Sequence, residues 1–240
     1  MKLNALRRNW ERFGEDDPFY AVLSHEEQRG GKAVEEFFES GRTEIAEIMV
    51  RAEAVGIHGH DLALDFACGL GRLTQPLADH FDAVLGVDIA QSMIERATRL
   101  NRRPDRCTFV LNTAPDLSKF PDSHFDFVLS VAALQHMEPR YAGGYIAEFF
   151  RVAKVDGTVA FQVPFPVRHQ ALKLALPEMV LKLRRRLMGA RGPSMQMFGI
   201  SPETVEGIVR SSGGTVLFID PKDSGPGYPG SLYLCRKVQA

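Results

Sequence analysis

Apolar and polar positions alternate in blocks along residues 62–163, and this alternation predicts strands and helices in turn. Short continuous apolar runs at 62–66, 83–88 and 125–130 are typical of strands that are covered on both faces. The predicted strands are 62–66, 83–88, 108–112, 125–130 and 158–163, and the predicted helices are 43–55, 72–80, 91–100 and 140–153. Such a pattern predicts right-handed βαβ units in a doubly wound parallel sheet.

The last third of the chain departs from this rhythm. A helical segment is predicted at 168–188, and Ser201 followed by Pro202 marks the start of a further helix over 201–211. Two strands, 215–220 and 231–237, then follow each other with only a loop rich in glycine and proline between them. This succession predicts a hairpin at the edge of the sheet.

Composition excludes several classes of protein. The chain has 240 residues, of which 45% are hydrophobic and 25% charged, so it is neither disordered nor collagen-like. A net charge of −1 disfavours nucleic-acid binding by bulk charge. Cys68, Cys107 and Cys235 form no CxxC pair, which argues against a disulfide framework or a zinc site. The start of the chain has no apolar signal-peptide region and no run approaches the roughly 18 apolar residues of a membrane span. We therefore expect a cytoplasmic protein.

The strongest local signal is the segment 65–72, Asp-Phe-Ala-Cys-Gly-Leu-Gly-Arg, at the end of the first predicted strand. Glycines at 69 and 71 suit a sharp turn or a close approach of a ligand to the backbone. Asp88 ends the second predicted strand, where a carboxylate can accept the protons of ribose hydroxyls. A dinucleotide fingerprint would need a third glycine where Thr74 stands, and Asp65 would repel a diphosphate. An acidic residue there suits a ligand that carries an amino group.

Residues 65–72 resemble motif I of the class I S-adenosylmethionine-dependent methyltransferases of the small-molecule type. The similarity continues at 87–93, 112–114, 125–128, 134–137 and 151–157, in the order and spacing of that family. It covers residues 62–163 and the terminal pair of strands. The resemblance implies an α/β fold with a Rossmann-like, doubly wound, seven-stranded sheet of order 3-2-1-4-5-7-6 and a C-terminal antiparallel hairpin. It also implies S-adenosyl-L-methionine as cofactor. Apart from His136, the histidines of the sequence have no ligand-like spacing, so we expect no metal.

The resemblance assigns roles to residues of this sequence. Asp65 would orient the amino group of the cofactor and Asp88 would bind its ribose. The cofactor-binding residues that it implies are Asp65, Ala67, Cys68, Gly69, Gly71, Arg72, Asp88, Ile89, Met93, Asn112, Thr113, Ala114, Ser130 and Val131. Ala67 stands where the family has its first glycine, so we expect a backbone that cannot freely adopt positive φ. Residues 155–157 replace a proline–glycine turn of the family.

His136 follows the fourth predicted strand, where it is either a general base or a structural histidine. A nucleophilic role for Cys68 is disfavoured because no base accompanies it. The sequence has no Asn-Pro-Pro-Tyr-like motif, so we expect methyl transfer to an oxygen or an amine of a small-molecule, glycan or lipid-linked acceptor. Two alternatives stay open: a methyltransferase-fold protein that binds cofactor without turnover, and a nicotinamide oxidoreductase.

Two segments outside the motifs carry further predictions. Residues 1–42 are predicted to form an N-terminal helical lid on a methyltransferase domain at 43–240, or else a helix strapped onto the sheet. The aromatic residues expected to contact the substrate or form the lid are Trp10, Phe13, Phe19, Tyr20 and Tyr141. The segment 165–192 holds seven basic residues and one acidic residue. It is predicted to be either an amphipathic helix with a solvated basic face or a contact for an acidic partner or a membrane surface.

Overall fold

A computed structural model of the chain describes residues 3–23, 34–57, 59–166, 195–224 and 228–239. Three helices come first: α1 (Leu3–Asp16), α2 (Pro18–Leu23) and α3 (Val34–Ala54). The alternating part follows as β1 (Leu62–Phe66), α4 (Thr74–Leu77), β2 (Ala83–Asp88), α5 (Gln91–Arg99), β3 (Cys107–Leu111), β4 (Phe125–Ser130), α6 (Pro139–Val152) and β5 (Ala153–Pro164). The last elements are α7 (Pro202–Ser211), β6 (Gly214–Pro221) and β7 (Gly230–Lys237).

The strands form one seven-stranded sheet of order β3-β2-β1-β4-β5-β7-β6. Strands β1 to β5 pair in parallel, whereas β7 pairs antiparallel with both β5 and β6. This confirms the predicted α/β fold, the strand order and the C-terminal hairpin. Because β1, β2 and β4 are parallel, their carboxyl ends meet at a single edge of the sheet.

Helices cover both faces of the sheet, so the central strands are buried on each side. One apolar cluster packs α3 and α4 onto β1, β2 and β4 through Ile45, Ile48 and Leu77. A second cluster packs α6 and α7 onto the opposite face through Phe149 and Val205. Every residue of β4 is buried, which accounts for its continuous apolar run.

Two helix predictions were wrong in their bounds. The predicted helix 43–55 is α3, which begins at Val34. Thr43, the first residue of the predicted helix, lies inside α3, and its hydroxyl donates to the carbonyl of Glu39 one turn earlier at 3.2 Å. The predicted helix 72–80 contains only the four residues of α4, and the chain then tightens to a turn in which Ala78 N donates to Gln75 O at 3.2 Å.

Strand β5 is longer than predicted, since it begins at Ala153 and includes residues 155–157, where a turn was expected. Asp156 there has φ of +63°. The predicted basic segment at 165–192 lies outside the described residues except for Phe165 and Pro166. Helix α3 is continuous across residue 42, and the division into a lid at 1–42 and a domain at 43–240 stays a prediction. Among the described residues, none of the helices has the length and apolar character needed to cross a bilayer.

Candidate functional site

A cavity of about 750 Å³ lies at the carboxyl edge of the sheet. Its floor is formed by the ends of β1, β2 and β4 and by the loops that follow them, and its cover is formed by α1 and α2. Its lining is mostly apolar: Leu6, Trp10, Ala21, Val22, Ala67, Cys68, Gly69, Leu73, Ile89, Met93, Val131, Ala132, Ala133 and Met137 line it together with Asp65, Arg72 and Asp88. This lining fits a small organic ligand.

The loop after β1 holds its backbone in the left-handed region at three positions. Ala67, Gly69 and Gly71 have φ values of +61°, +54° and +78°. A Cβ atom on Gly71 would lie 2.6 Å from the ring of Phe109, and one on Gly69 would lie 2.9 Å from Val22. Both glycines are therefore required by conformation and by space. Ala67 does adopt the positive φ that its side chain disfavours, contrary to the sequence expectation.

Asp88 ties the end of β2 to this loop. Its Oδ2 accepts a hydrogen bond from Gly69 N at 3.0 Å, and its Oδ1 accepts one from Ala90 N at 2.9 Å. Burial raises the pKa of Asp88, and the hydrogen bonds from the backbone partly oppose this shift. Each carboxylate oxygen keeps a second lone pair, so the group can still accept from a ligand hydroxyl.

Asp65 is the other acidic group of the cavity, and it is 2% exposed. Its Oδ2 accepts a hydrogen bond from Thr74 Oγ1 at 2.6 Å. Burial raises the pKa of Asp65 to about 6, although the Thr74 hydrogen bond and the charge of Arg72 both favour the ionised form. A carboxyl group with this pKa titrates close to physiological pH.

Arg72 lines the cavity near Asp65 and is anchored from behind. Its guanidinium donates to Glu44 Oε2 at 2.5 Å and to Ser40 Oγ at 3.3 Å, both on α3. Glu44 also accepts from Lys222 Nζ at 2.5 Å. Burial would raise the pKa of Glu44, but Arg72 and Lys222 together hold it below its ordinary value. The buried Arg72 Nε has no hydrogen-bond partner in the described part of the chain.

The predicted lid aromatics separate into three groups. Trp10 lines the cavity, and its ring meets that of His136 edge to face at a centroid distance of 5.1 Å. Phe13 and Phe19 instead pack with Phe37 in an apolar cluster beside the cavity. The remaining two, Tyr20 and Tyr141, are partly buried and do not line the cavity; the ring of Tyr141 lies under the Arg140 guanidinium at 4.5 Å.

His136 ends a short 3₁₀ turn, Leu134–His136, beside the cavity, although its side chain is not part of the lining. Its Nδ1 lies 2.9 Å from the carbonyl oxygen of Gln196, so Nδ1 carries the proton and Nε2 is the acceptor nitrogen. Gln135 Nε2 donates to that Nε2 at 3.3 Å. Burial lowers the pKa of His136 to about 4, and the hydrogen bond to Gln196 only partly opposes it. The imidazole is therefore neutral at pH 7.

Several other predicted residues lie at the same edge without lining this cavity. Asn112 uses its side chain within its own loop, where its amide nitrogen donates to Asp116 O at 2.7 Å. Thr113 borders a second, shallower cleft under α1, which Ile89 lines in addition to the main cavity. Ser130 is fully buried, and its hydroxyl has no hydrogen-bond partner among the described residues. Two further residues, Gly71 and Ala114, are also absent from the lining.

Sequence reasoning missed part of the lining: Leu6, Ala21, Val22, Leu73, Ala132, Ala133 and Met137. Ala132, Ala133 and Met137 lie next to the predicted residues Val131 and His136, so the position of the fourth strand could have indicated them. Those on α1 and α2 reach the cavity only through tertiary packing.

Metal and thiol chemistry find no support in the described residues. Within them, no group of three or more histidine, cysteine, aspartate or glutamate side chains is arranged to hold a metal ion. The thiols of Cys68, Cys107 and Cys235 are free and buried. Burial raises the pKa of each thiol, and the pKa of Cys107 reaches about 11. None of the three is therefore an activated nucleophile.

Comparison with known proteins gives a consistent family signal. Residues 64–161 match a family model described as a methyltransferase domain. The chain is 32% identical over 108 residues to an uncharacterised methyltransferase of Synechocystis, a segment that covers 45% of this chain and 49% of the relative. It is also 32% identical over 103 residues to a demethylmenaquinone methyltransferase of Tropheryma whipplei, covering 43% of this chain and 41% of the relative. The chain thus spans less than half the length of the curated relatives it matches.

Solved structures extend the similarity of fold to almost the whole chain. A magnesium protoporphyrin IX methyltransferase from Synechocystis, solved with bound SAH, superimposes with a TM-score of 0.67 at 17% identity. The superposition covers 98% of this chain and 99% of that one. A S-adenosylmethionine-dependent methyltransferase from Methanosarcina mazei superimposes with a TM-score of 0.57 at 20% identity, covering 77% and 96% of the two chains.

Proposed function

We propose that this chain, whose residues 64–161 match a methyltransferase domain, is a class I S-adenosylmethionine-dependent methyltransferase. It transfers a methyl group to an oxygen or an amine of a small-molecule, glycan or lipid-linked acceptor. The observation that carries the proposal is the hydrogen bond from Gly69 N to Asp88 Oδ2, which joins the glycine loop and the acidic end of β2 around one cavity.

The residues around the cavity fit the cofactor from end to end. Asp88 accepts from the ribose hydroxyls through its remaining lone pairs, and Ile89 and Met93 flank the adenine. Asp65 and Arg72 place opposite charges at the glycine loop, and a methionine moiety carries an amino group and a carboxylate. We assign the amino group to Asp65 and the carboxylate to Arg72, whose buried Nε is a donor without a described partner.

Methyl transfer from a sulfonium is an in-line displacement, so the protein mainly aligns the acceptor and excludes water. The remaining wall of the cavity, with Leu6, Trp10, Val131 and Met137, is apolar and suits the body of a small or lipid-linked acceptor. When bound, S-adenosylmethionine supplies an activated methyl group that needs no metal.

Calorimetric titration with S-adenosylmethionine, SAH and NADH tests the cofactor assignment. We expect binding of the first two only. Asp88→Ala should weaken SAH binding by about 1–3 kcal/mol, since a charge-assisted hydrogen bond is lost. Asp82→Ala, at an exposed aspartate just before β2, is the matched control and should bind as the wild type does. An Asp88 variant that is folded and binds SAH normally would contradict the ribose assignment.

Transfer of a labelled methyl group from the cofactor to a metabolite and lipid extract tests turnover. A labelled product of low molecular mass supports the proposal. Cofactor binding with no labelled product from any extract would instead favour a binding protein that lacks turnover.

The sequence leaves two roles for His136, and kinetics separate them. As general base, its Nε2 would give up the hydrogen bond from Gln135 and accept the acceptor's proton, and His136→Ala would lower kcat roughly 10²–10⁴-fold with cofactor affinity nearly intact. As a structural residue, it would hold residues 195–200 against the cavity through Gln196, and the loss would be only a few-fold. Because the pKa of His136 is about 4, neither role gives a histidine limb in the pH–rate profile between pH 6 and 8.

A further inference from the structure

Helix α5 begins directly after the ribose-binding end of β2, and its first amides are capped by a residue from another helix. Ala90 precedes α5 and offers no side-chain cap. Instead, the Glu11 carboxylate of α1 accepts from Gln91 N and from Ser92 N, both at 2.9 Å. A negative charge at this position satisfies two otherwise unpaired donors and complements the helix dipole.

The fit between the two helices is close on both sides of this carboxylate. Ser92 Oγ donates to the carbonyl oxygen of Glu11 at 2.9 Å. One turn further along α1, a Cβ atom on Gly14 would lie only 2.2 Å from Ser92 Oγ. Arg96 of α5 donates to the carbonyl oxygen of Glu15 at 3.2 Å. Helix α1 is therefore docked on α5 in one register, with Glu11 as the only side-chain acceptor among these contacts.

This docking joins two parts of the cavity. On the α5 side, Asp88 accepts from Ala90 N, the amide immediately before the two that Glu11 caps. On the α1 side, Leu6 and Trp10 precede Glu11 in the helix and line the cavity. A shift of α1 along α5 would move both side chains away from the ligand.

We propose that Glu11 is a positioning residue that fixes α1 on α5 through its hydrogen bonds from Gln91 N and Ser92 N, which we call the Glu11 clasp, and so holds Leu6 and Trp10 over the cavity. The proposal rests on the proposed function for the identity of the ligand. Because α1 and α2 cover the cavity, the cofactor leaves only when this cover moves. Release of the Glu11 clasp is therefore a step in cofactor exchange, and the clasp slows dissociation more than it affects association.

The chain provides its own probe, because Trp10 is its single tryptophan and lies in the moving helix. Stopped-flow fluorescence can follow SAH dissociation in the wild type, Glu11→Ala, Glu11→Gln and Glu15→Ala. Loss of the cap should speed dissociation roughly 5–30-fold in Glu11→Ala, with association changed by less than about two-fold. Glu11→Gln keeps one strong acceptor oxygen, so its rate of SAH dissociation should lie between those of the wild type and Glu11→Ala. Glu15→Ala is the matched control, because the backbone carbonyl of Glu15 makes its contact, and it should match the wild type.

A second measurement needs no cofactor and keeps this proposal separate from the proposed function. Acrylamide quenching of Trp10 in the free protein should increase in Glu11→Ala and stay at the wild-type level in Glu15→Ala. If the wild type does not bind SAH, the proposed function fails while the quenching still tests the clasp. If Glu11→Ala and Glu15→Ala give the same quenching and, where SAH binds, the same dissociation rates, the clasp is refuted. Should Glu11→Ala not fold, Glu11→Gln weakens the hydrogen bonds from Gln91 N and Ser92 N without deleting the side chain, and it is read in the same way.

Discussion

Asp65 shows how a single buried carboxyl group can be retained for a ligand at a cost in stability. It is 2% exposed, and burial raises its pKa to about 6, well above the ordinary value of 3.8. Between these two values the folded state holds a proton that the unfolded chain has already released. The free energy of unfolding therefore falls as pH rises from about 4 to about 6, and the stabilisation by this proton is gone above the folded-state pKa.

Replacing Asp65 with asparagine should remove this pH dependence. We expect Asp65→Asn to be more stable than the wild type at pH 7, by roughly 2–3 kcal/mol from a shift of about two pKa units, and to bind SAH more weakly. Thermal unfolding from pH 4 to pH 8 measures the difference between the two proteins. It should grow between pH 4 and 6 and then stay constant. Asp82→Asn, at an exposed position, should show no such trend, and a constant difference for Asp65→Asn would contradict the argument.

Two alanines at the cavity are held in a conformation that favours glycine. Ala67 and Ala132 have φ values of +61° and +57°, whereas Ala133, beside the second of them, has φ of −103°. We expect Ala67→Gly and Ala132→Gly to raise the free energy of unfolding by about 0.5–1 kcal/mol, because relief of backbone strain outweighs the greater entropy of the unfolded chain. Ala133→Gly is the control and should lower it by about the same amount. Denaturant unfolding measures the change in the free energy of unfolding for all three variants. If the changes for Ala132→Gly and Ala133→Gly had the same sign, backbone strain at Ala132 would be refuted.

At the scale of elements, a glycine inside a helix sets the distance between α3 and the glycine loop. A Cβ atom on Gly41 would lie 2.1 Å from the carbonyl oxygen of Arg72, so the two backbones touch. By contrast, Gly207 in α7 has no atom within 4 Å of such a Cβ. The first glycine is there for packing and the second is not.

The two glycines should therefore respond in opposite ways to the same substitution. Gly207→Ala should stabilise the protein by about 0.5–1 kcal/mol through helix propensity alone. Gly41→Ala gains the same propensity but must displace Arg72, so we expect a net destabilisation of about 1–2 kcal/mol and weaker SAH binding. Chemical denaturation and calorimetry measure both effects. A stabilised Gly41→Ala that binds SAH normally would show that the loop can move without cost.

The sequence predicts elements well where the local pattern decides them and poorly where packing does. The strands were found because buried parallel strands have continuous apolar runs, as in 125–130. The start of α3 was missed although Glu35 and Glu36 in its first turn are a typical start signal. The turn at 155–157 was expected because the family has a proline–glycine turn at this position, yet these residues are part of β5.

At the scale of the whole molecule, the alternating pattern predicted a doubly wound parallel sheet, and the strand order came from the resemblance of the motifs to the methyltransferase family. Asp65 and Asp88 could be predicted as polar residues of the cavity because they lie at the carboxyl ends of adjacent parallel strands. The cover could not be predicted in this way. Leu6 and Val22 have no distinctive chemistry, and only the docking of α1 and α2 brings them to the site.

Alkylation of the three buried thiols can report where the folded chain opens locally. They lie in three places of the sheet: Cys68 in the glycine loop, Cys107 at the start of edge strand β3 and Cys235 inside β7, with exposures of 6%, 3% and 0%. Since each thiol is buried and protonated, alkylation must wait for a local or global opening. Pulsed alkylation read by mass spectrometry should label Cys235 only at the rate of global unfolding. SAH should slow the labelling of Cys68 more than that of Cys107, and equal protection of these two would mean that the glycine loop does not open by itself.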